Sequence, residues 1–361
     1  MVVYDVAVIG AGPVGSRTAE LIAKRGYKVA LLEKNAEVGL PVQCTGLVSS
    51  RLTDIVSGMP ENVILNRISR ARFFATSASL ELQSKRPFLV VDREKLDKFL
   101  FLRARQAGAS ADTGILFREF ERSRSGEDEF LTLLTSKGKV QARLLIGADG
   151  PLSTVAARAG LERPANMLTG MQMTVQGEFD PDAVELIYSR EMTPDFFGWV
   201  VPLNEKQARI GVAARHNPLA GLKTLVEKRT GGAVRVDDVK PDVAGKINFG
   251  LMERTSAERV MVVGDAACQV KPFSGGGVVY GLLGAGYCAN AAVKALKSGD
   301  FSAEFLRQEY DAAWKAHLAG PIRRGLLYRR ILLGSDRRMN ALFSVGRLGK
   351  ALIEGFDADL L

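Results

Sequence analysis

The sequence predicts an α/β fold: a parallel sheet interrupted by an antiparallel one and followed by a helical C-terminus. Three observations carry this. The chain opens as strand, glycine loop, helix and strand over residues 3–33; short β-branched and aromatic segments fill residues 166–249; and residues 301–361 pattern as helix. At 361 residues, with 47% apolar and 25% charged residues, the chain has room for about two domains and is neither disordered nor fibrous.

Residues 3–9 (Val-Tyr-Asp-Val-Ala-Val-Ile) are short, β-branched and closed by glycine, the pattern of a parallel strand buried on both faces. Gly10-Ala-Gly12-Pro-Val-Gly15 follows, then a helix over 14–25 with Ala19, Ile22 and Ala23 on one side. Gly26 ends it, and residues 28–32 form a second strand leading to Glu33. A further helix is predicted over 93–107 from the spacing of Leu96, Phe99, Leu100 and Ala104. Strands at 143–147 and 259–264 run into Ala148-Asp149-Gly150 and Gly264-Asp265. Between them, 171–176, 184–188, 196–201 and 208–214 read as antiparallel strands separated by Pro, Asp and Asn. The Rossmann-like domain is therefore expected over 1–165 and 250–300, the inserted antiparallel sheet over 166–249 and a helical segment over 301–361, with residues 60–90 open to either sheet.

Composition removes several function classes. Cys44, Cys268 and Cys288 are scattered without a CxxC pair, and only two histidines exist, which argues against a disulfide framework, an iron–sulfur cluster or any metal site. Residues 272–293 hold no charge over a length that could span a membrane, but six glycines and Pro272 predict a turn entering a buried helix instead. Met1-Val-Val-Tyr runs directly into the first strand, so no leader and a cytoplasmic location are expected. The net charge is +9, and residues 315–350 carry nine Lys or Arg against Asp336 alone. That segment reads as a solvated helix face, a surface for an acidic protein or one for an anionic membrane; no nucleic-acid motif or interleaved aromatic accompanies it.

The glycine loop has the context a dinucleotide fingerprint requires: strand before, helix after, and Glu33 18 residues beyond Gly15. Gly10 allows the tight turn, Gly12 lets backbone approach a pyrophosphate, and Gly15 packs helix on strand, while the helix N-terminus offers amides to phosphate. Glu33 suits the two hydroxyls of a ribose and repels a 2′-phosphate, which disfavours NADPH at this position. Farther along, Gly264-Asp265-Ala-Ala precedes Pro272-Phe-Ser-Gly275-Gly276-Gly277-Val278. Together with Ala148-Asp149-Gly150, this set resembles the FAD-dependent aromatic hydroxylase superfamily. The resemblance implies FAD as cofactor, Asp265 on its ribityl chain, Gly277 and Val278 amides at the flavin pyrimidine edge, and Arg93 as a FAD-contacting arginine at a helix start. The residues alone leave a helix cap for Asp265 and a surface cation for Arg93 open.

Two more segments resemble the geranylgeranyl reductase family, in particular its archaeal digeranylgeranylglycerophospholipid reductase branch. Gly39-Leu-Pro41-Val-Gln-Cys44-Thr45-Gly46 is similar to that family's P-x-x-C-x-G loop beside the flavin. Phe197-Gly-Trp199-Val-Val-Pro202 is similar to its aromatic-x-W-x-x-P element in the substrate sheet, with Phe197 where tyrosine is common. The likeness runs from residue 1 to about 300 and implies a FAD-dependent reductase of isoprenoid chains. An isolated isoprenoid double bond has no conjugated carbonyl to accept hydride. Protonation of the less substituted carbon develops tertiary cation character that hydride from flavin N5 would quench. Such a site wants an apolar tunnel, aromatic faces (Phe197 and Trp199, with Pro202 in the same element) and a proton donor. The resemblance places Cys44, Thr45 and Gly46 near the flavin, so Cys44 is the candidate donor or positioning group, a small buried filler being its plainer role. The plainer role of Trp199 is core, and Cys268 and Cys288 read as packing residues. The expected partners are an isoprenoid lipid, an electron donor (ferredoxin, NADPH or deazaflavin) and an anionic membrane at the cytoplasmic inner face, reached through residues 321–350; nucleic acid is not expected. The competing readings are an electron-transfer flavoprotein serving a membrane quinone and a FAD-dependent aromatic monooxygenase.

Overall fold

A computed structural model describes residues 3–348 apart from 127 and 334; the end of the predicted helical segment, 349–361, lies outside the described residues. The opening strand Val3–Ile9 sits between Val29–Leu32 and Gly138–Gly147, and Val260–Val262 and Ser110–Asp112 extend the sheet, all parallel. Val6, Ala7 and Val8 are wholly buried because both faces are covered. Helices Pro13–Ala23, Arg93–Gln106 and Val278–Ser298 pack on one face, where Val6 and Val8 meet Ala19, Phe101 and Cys288. On the other, Ala7 and Ile9 meet Leu131 and Leu133. Those two leucines belong to Asp128–Thr135, which pairs with Phe117–Ser125 and with Gly138–Gly147 in antiparallel fashion, a hairpin the strand pattern did not single out.

The second sheet has eight strands. In spatial order they are Val243–Asn248, Met167–Gln176, Gln207–Ala214, Gly198–Asn204, Ala183–Ile187, Ile64–Phe74, Ser79–Val91 and Leu47–Ser49. All neighbours are antiparallel except Ala183–Ile187 against Ile64–Phe74. Residues 64–91 thus sit in this sheet, built as one long hairpin. Helix Pro218–Arg229 covers one face through Leu222, Leu225 and Val226. The other face carries Tyr188, Phe197, Trp199 and Phe73, closed by Met339 and Phe343 of the C-terminal helix Asp336–Leu348.

The uncharged run resolves as the glycine turn and helix Val278–Ser298. Its glycines are needed for close packing: a Cβ on Gly281 would lie 2.5 Å from Val14, and one on Gly284 2.0 Å from the Gln269 amide oxygen. Among the described residues no helix is long and apolar enough to cross a membrane. The chain then turns through Ala303–Leu306 and a π-helical stretch, Arg307–Ala312, into helix Ala313–Leu332. Buried polar groups bolt this region to the first sheet. The Tyr310 hydroxyl donates to Val262 O at 2.6 Å and accepts from Gln269 Nε2 at 3.2 Å. Asp311 accepts from the Thr255 amide and hydroxyl, which in turn accepts from Trp314 Nε1 at 2.8 Å. Because Tyr310 and Gln269 are fully buried, Tyr310→Phe is expected to cost about 1–3 kcal/mol by equilibrium denaturation. An unchanged midpoint would show the bolt to be idle.

Candidate functional site

The site forms where loops leave the carboxyl ends of the parallel strands, the usual crevice of such sheets. Gly10 has φ +98°, and a Cβ there would lie 2.4 Å from Ala148 O; a Cβ on Gly15 would lie 1.9 Å from Gly10 O. Only hydrogen fits at either position. Gly12, by contrast, faces open space and is the N-cap of helix Pro13–Ala23, so the amides of its first turn point into the cleft. Glu33, nine-tenths buried, accepts from the Ala11 amide at 2.8 Å and the Asn35 amide at 2.9 Å, fixing its carboxylate beside the glycine loop. Asp149 of the Ala-Asp-Gly turn instead caps the short helix Thr154–Arg158, accepting from the Thr154 and Val155 amides.

Arg93 is not a surface cation. It begins helix Arg93–Gln106, with Asp92 as N-cap, and its guanidinium meets Asp97 one turn on at 3.2 Å. Burial works against its charge, but Asp97 and the Cys44 sulfur outweigh burial and raise its pKa. The Asp97 carboxyl is pushed up by burial, with Glu33 adding and Arg93 opposing.

Asp265 lies in the turn Gly264–Ala267, which the Asn248 amide holds through Asp265 O at 2.6 Å. Its side chain is no helix cap: the carboxylate makes no hydrogen bond among the described residues and faces Gly277, where a Cβ would lie 2.6 Å from Oδ1. Gly277 caps helix Val278–Ser298, so the Gly277 and Val278 amides open beside that carboxylate. A hydrogen-bond acceptor without a partner, an open glycine shelf and two helix N-termini aimed at one cleft fit a flavin dinucleotide. Glu33 would hold its ribose, Asp265 its ribityl hydroxyls, and Gly277 and Val278 the pyrimidine edge.

The cysteine loop is held by the second sheet. Gly46, at φ +82°, packs so tightly that a Cβ would lie 2.3 Å from Val91 O, and its amide donates to Cys44 Sγ at 3.4 Å. Cys44 is half-buried and within electrostatic reach of Arg93 and Arg209, so it is not a sealed apolar filler. Arg209 donates to Thr45 O, and the Thr45 hydroxyl donates to Gln172 Oε1 at 2.8 Å. The same oxygen accepts from Trp199 Nε1 at 3.3 Å. Gln172, Gly211 and Trp199 lie in one cross-strand row, and the indole rests where a Gly211 side chain would otherwise stand, 2.4 Å from its Cβ position. Phe197 contacts Trp199 edge-on at 6.4 Å and Tyr188 at 5.5 Å, and Tyr188 meets Phe273 of the glycine turn at 6.4 Å. Pro202 alternates onto the opposite face with Val200, pairing with Ala208 under helix Pro218–Arg229, so it does not join Phe197 and Trp199.

Several participants escaped the sequence reading. Gln172 carried a signal: in Met167–Gln176 it falls in the buried phase with Leu168 and Gly170, a polar residue where a strand should be apolar. Asp97 sits one helical turn from Arg93, a pairing that spacing predicts. Cys268 and Cys288 are buried packing thiols, Cys268 pushed up to about 12 by burial, and no metal-holding cluster occurs among the described residues.

This combination of sheet, fingerprint and unpartnered acceptor defines a flavin-binding protein of the dinucleotide type. Residues 3–297 match the FAD binding domain family; the chain belongs to it, and its cofactor is FAD. The chain also belongs to the digeranylgeranylglycerophospholipid reductase family. It is 32% identical to digeranylgeranylglycerophospholipid reductase 2 of Methanothermobacter thermautotrophicus, covering 94% of this chain and 90% of that one. A second relative of this name, from Methanocaldococcus jannaschii, is 32% identical over 98% and 93% of the two chains. Among solved structures, a geranylgeranyl bacteriochlorophyll reductase-like protein from Thermoplasma acidophilum superposes with a TM-score of 0.84 at 25% identity, covering 99% and 98%. Anhydrotetracycline hydroxylase from Streptomyces rimosus, at TM-score 0.71 and 21% identity over 96% of this chain and 72% of its own, shares the fold.

The raised Asp265 pKa makes a test. A carboxyl whose folded pKa exceeds its unfolded value lends stability at low pH that is lost as pH rises through the folded pKa. In the FAD-free protein, Asp265→Asn is therefore expected to raise Tm at pH 7, with the gain vanishing below about pH 3.9. The same change should weaken FAD binding about ten- to a hundredfold by fluorescence titration. A lower apoprotein Tm at pH 7 would contradict the sign.

Proposed function

We propose that this chain is a FAD-dependent reductase that saturates isolated double bonds of geranylgeranyl chains in membrane lipid biosynthesis. The observation that carries it is the single Gln172 oxygen joining the Cys44 loop to Trp199, beside a nest of aromatic rings that Phe273 of the flavin turn enters. Bound FAD would supply hydride from N5. The chain supplies the rest: a dry aromatic wall that favours developing tertiary cation character, and a thiol at Cys44 to hand a proton to the less substituted carbon. Hydroxylation would need no thiol on a loop anchored to an indole through one glutamine. Quinone-linked electron transfer gains nothing from an aromatic nest covered by Met339 and Phe343. The physiological reductant is a ferredoxin, NADPH or a deazaflavin, and the substrate an isoprenoid lipid.

The route from the bilayer is the outer face of the C-terminal helices. Leu327, Tyr328, Ile331, Leu342 and Val345 are exposed there, among exposed Arg323, Arg324, Arg330, Arg337 and Arg338. Apolar groups to enter the interface and arginines to meet anionic headgroups make a peripheral membrane surface. Arg330→Glu with Arg337→Glu is expected to abolish sedimentation with anionic vesicles at low salt; retained sedimentation would remove this surface from the proposal.

Anaerobic incubation of the dithionite-reduced protein with a geranylgeranyl lipid should show mass gains of one H₂ per double bond. Cys44→Ala should retain FAD and lower kcat by about 10²-fold or more. No gain in mass with FAD bound and reduced would favour quinone reduction, then hydroxylation.

A further inference from the structure

The turn that carries Asp265 is fastened by a side chain buried behind it. Residues 264–267 follow the parallel strand Val260–Val262, and Cys268, at φ +53°, reverses the chain so that Gln269 returns to Gly264. There the Gln269 backbone amide donates to Gly264 O at 3.0 Å, and its side-chain Oε1 accepts from the Gly264 amide at 2.8 Å. Both polar backbone groups of Gly264 are thus held by one residue. We propose that Gln269 is a positioning residue for FAD, setting through Gly264 where the Asp265 carboxylate stands; the proposal rests on the reading of Asp265 as the ribityl acceptor and adds what holds that acceptor in place.

The direction of each hydrogen bond follows from the partners. Tyr310 Oη lies 2.6 Å from Val262 O, a carbonyl that can only accept, so the phenol donates there. Its oxygen must then accept from Gln269 at 3.2 Å, which assigns Nε2 to that side of the carboxamide and leaves Oε1 facing the Gly264 N–H. The bonds run in one direction from the Gly264 amide through Gln269 and Tyr310 to the Val262 carbonyl, and the chain from 262 to 264 closes the ring. Val262, Gln269 and Tyr310 are wholly buried. Helix Val278–Ser298 closes over the carboxamide only because residue 284 is glycine, where a Cβ would lie 2.7 Å from Gln269 Cδ.

The ring fixes backbone and leaves the working side chain open. Asp265 O accepts from Asn248 Nδ2 at 2.6 Å and from the Cys268 amide at 3.1 Å, while the carboxylate makes no hydrogen bond among the described residues. A ligand therefore meets an acceptor whose position is already set, which spares it the cost of ordering the turn. Without the Gln269 carboxamide the Gly264 N–H is a buried donor lacking its acceptor, and the turn must shift to satisfy it, taking Asp265 along. Tyr310 lies in the π-helical stretch Arg307–Ala312, whose wider turn lets Tyr310 and Asp311 both face inward. Through Tyr310 the C-terminal segment orients the Gln269 amide and so reaches the cofactor turn from behind.

A double-mutant cycle on FAD affinity, read by fluorescence titration of the apoprotein, tests this. Gln269→Met keeps the length of the side chain and removes its carboxamide. It should weaken FAD binding about tenfold or more on its own, and less than about twofold in the Asp265→Asn background. Tyr310→Phe leaves the turn's own residues intact and should show the same collapse in that background; it carries the test if Gln269→Met does not fold. Trp314→Phe removes the Nε1 bond to Thr255 from the same segment without touching the ring. It should lower Tm while FAD affinity moves less than about twofold and the visible circular dichroism of the bound flavin keeps its shape, which Gln269→Met should alter. Equal losses for Gln269→Met in both backgrounds, or a loss in Trp314→Phe that matches it, would reduce Gln269 to general stability and overturn the proposal. If Asp265→Asn alone leaves FAD binding unchanged, the ribityl reading fails, and the proposal fails with it.

Discussion

Everything in the cleft is arranged around the Arg93 guanidinium. Asp97 pairs with it, Asp265 feels it across the cleft, Glu33 acts on it through Asp97, and the Cys44 sulfur lies within its reach. Burial raises the pKa of the Asp97 and Asp265 carboxyls, and Arg93 opposes that rise in both. One buried cation shared by several acceptors is a poor stabilising device, because desolvation offsets much of the attraction. It is a good positioning device: the helix start that carries Arg93, the turn that carries Asp265 and the loop that carries Cys44 come from three distant parts of the chain, and the charge couples them. Among the described residues the Asp265 carboxylate, beside a helix N-terminus, makes no hydrogen bond. A flavin dinucleotide would bring hydroxyls for that acceptor and complete a charge arrangement that these residues leave open.

Under the proposed reading the second sheet answers a different requirement: a prenyl chain would need apolar walls with polar machinery beside its reacting double bond, both on one face of the sheet. The other face is apolar core. Val200, Pro202 and Ile210 turn toward helix Pro218–Arg229, while Trp199, Gly211 and Gln172 face the nest. Gln172 then spends one carbonyl oxygen on two donors, Thr45 and Trp199, so the cysteine loop and the indole share a single anchor. Gly211 and Gly46 remove the side chains that would keep these parts apart.

Local signals made the cofactor half of this site legible in the sequence. Glycines at fixed spacing, an acidic residue after the second strand, and Asp265 ahead of a glycine-opened helix each act within a few residues of themselves, so their structural consequence is written nearby. Long-range pairing was not legible. Residues 64–91 had strand character, but nothing in them says that Ile64–Phe74 pairs with Ala183–Ile187 more than a hundred positions away. The hairpin over 117–135 was obscured by its charged outer face, although Leu131 and Leu133 are fully buried. Pro202 was read with Trp199 because they share a motif, whereas a strand's alternation puts residues three apart on opposite faces.

The basic C-terminal run shows the same limit in charge. Nine basic residues against one acid suggests a uniform surface, but a helix distributes a run over all its sides. Ile322, Leu326 and Arg329 recur at helical spacing on the inner side. Arg329 lies 4.1 Å from the Phe249 ring centroid and donates to Pro272 O at 3.3 Å and to Asp195 O. Burial pushes its pKa down to about 10, so even an arginine there feels the loss of water. Its charge is spent on the flavin turn and on the second sheet, and it does not count toward any surface a membrane would meet. The same helix therefore has an outer face of exposed arginines and leucines and an inner face that grips Pro272 directly.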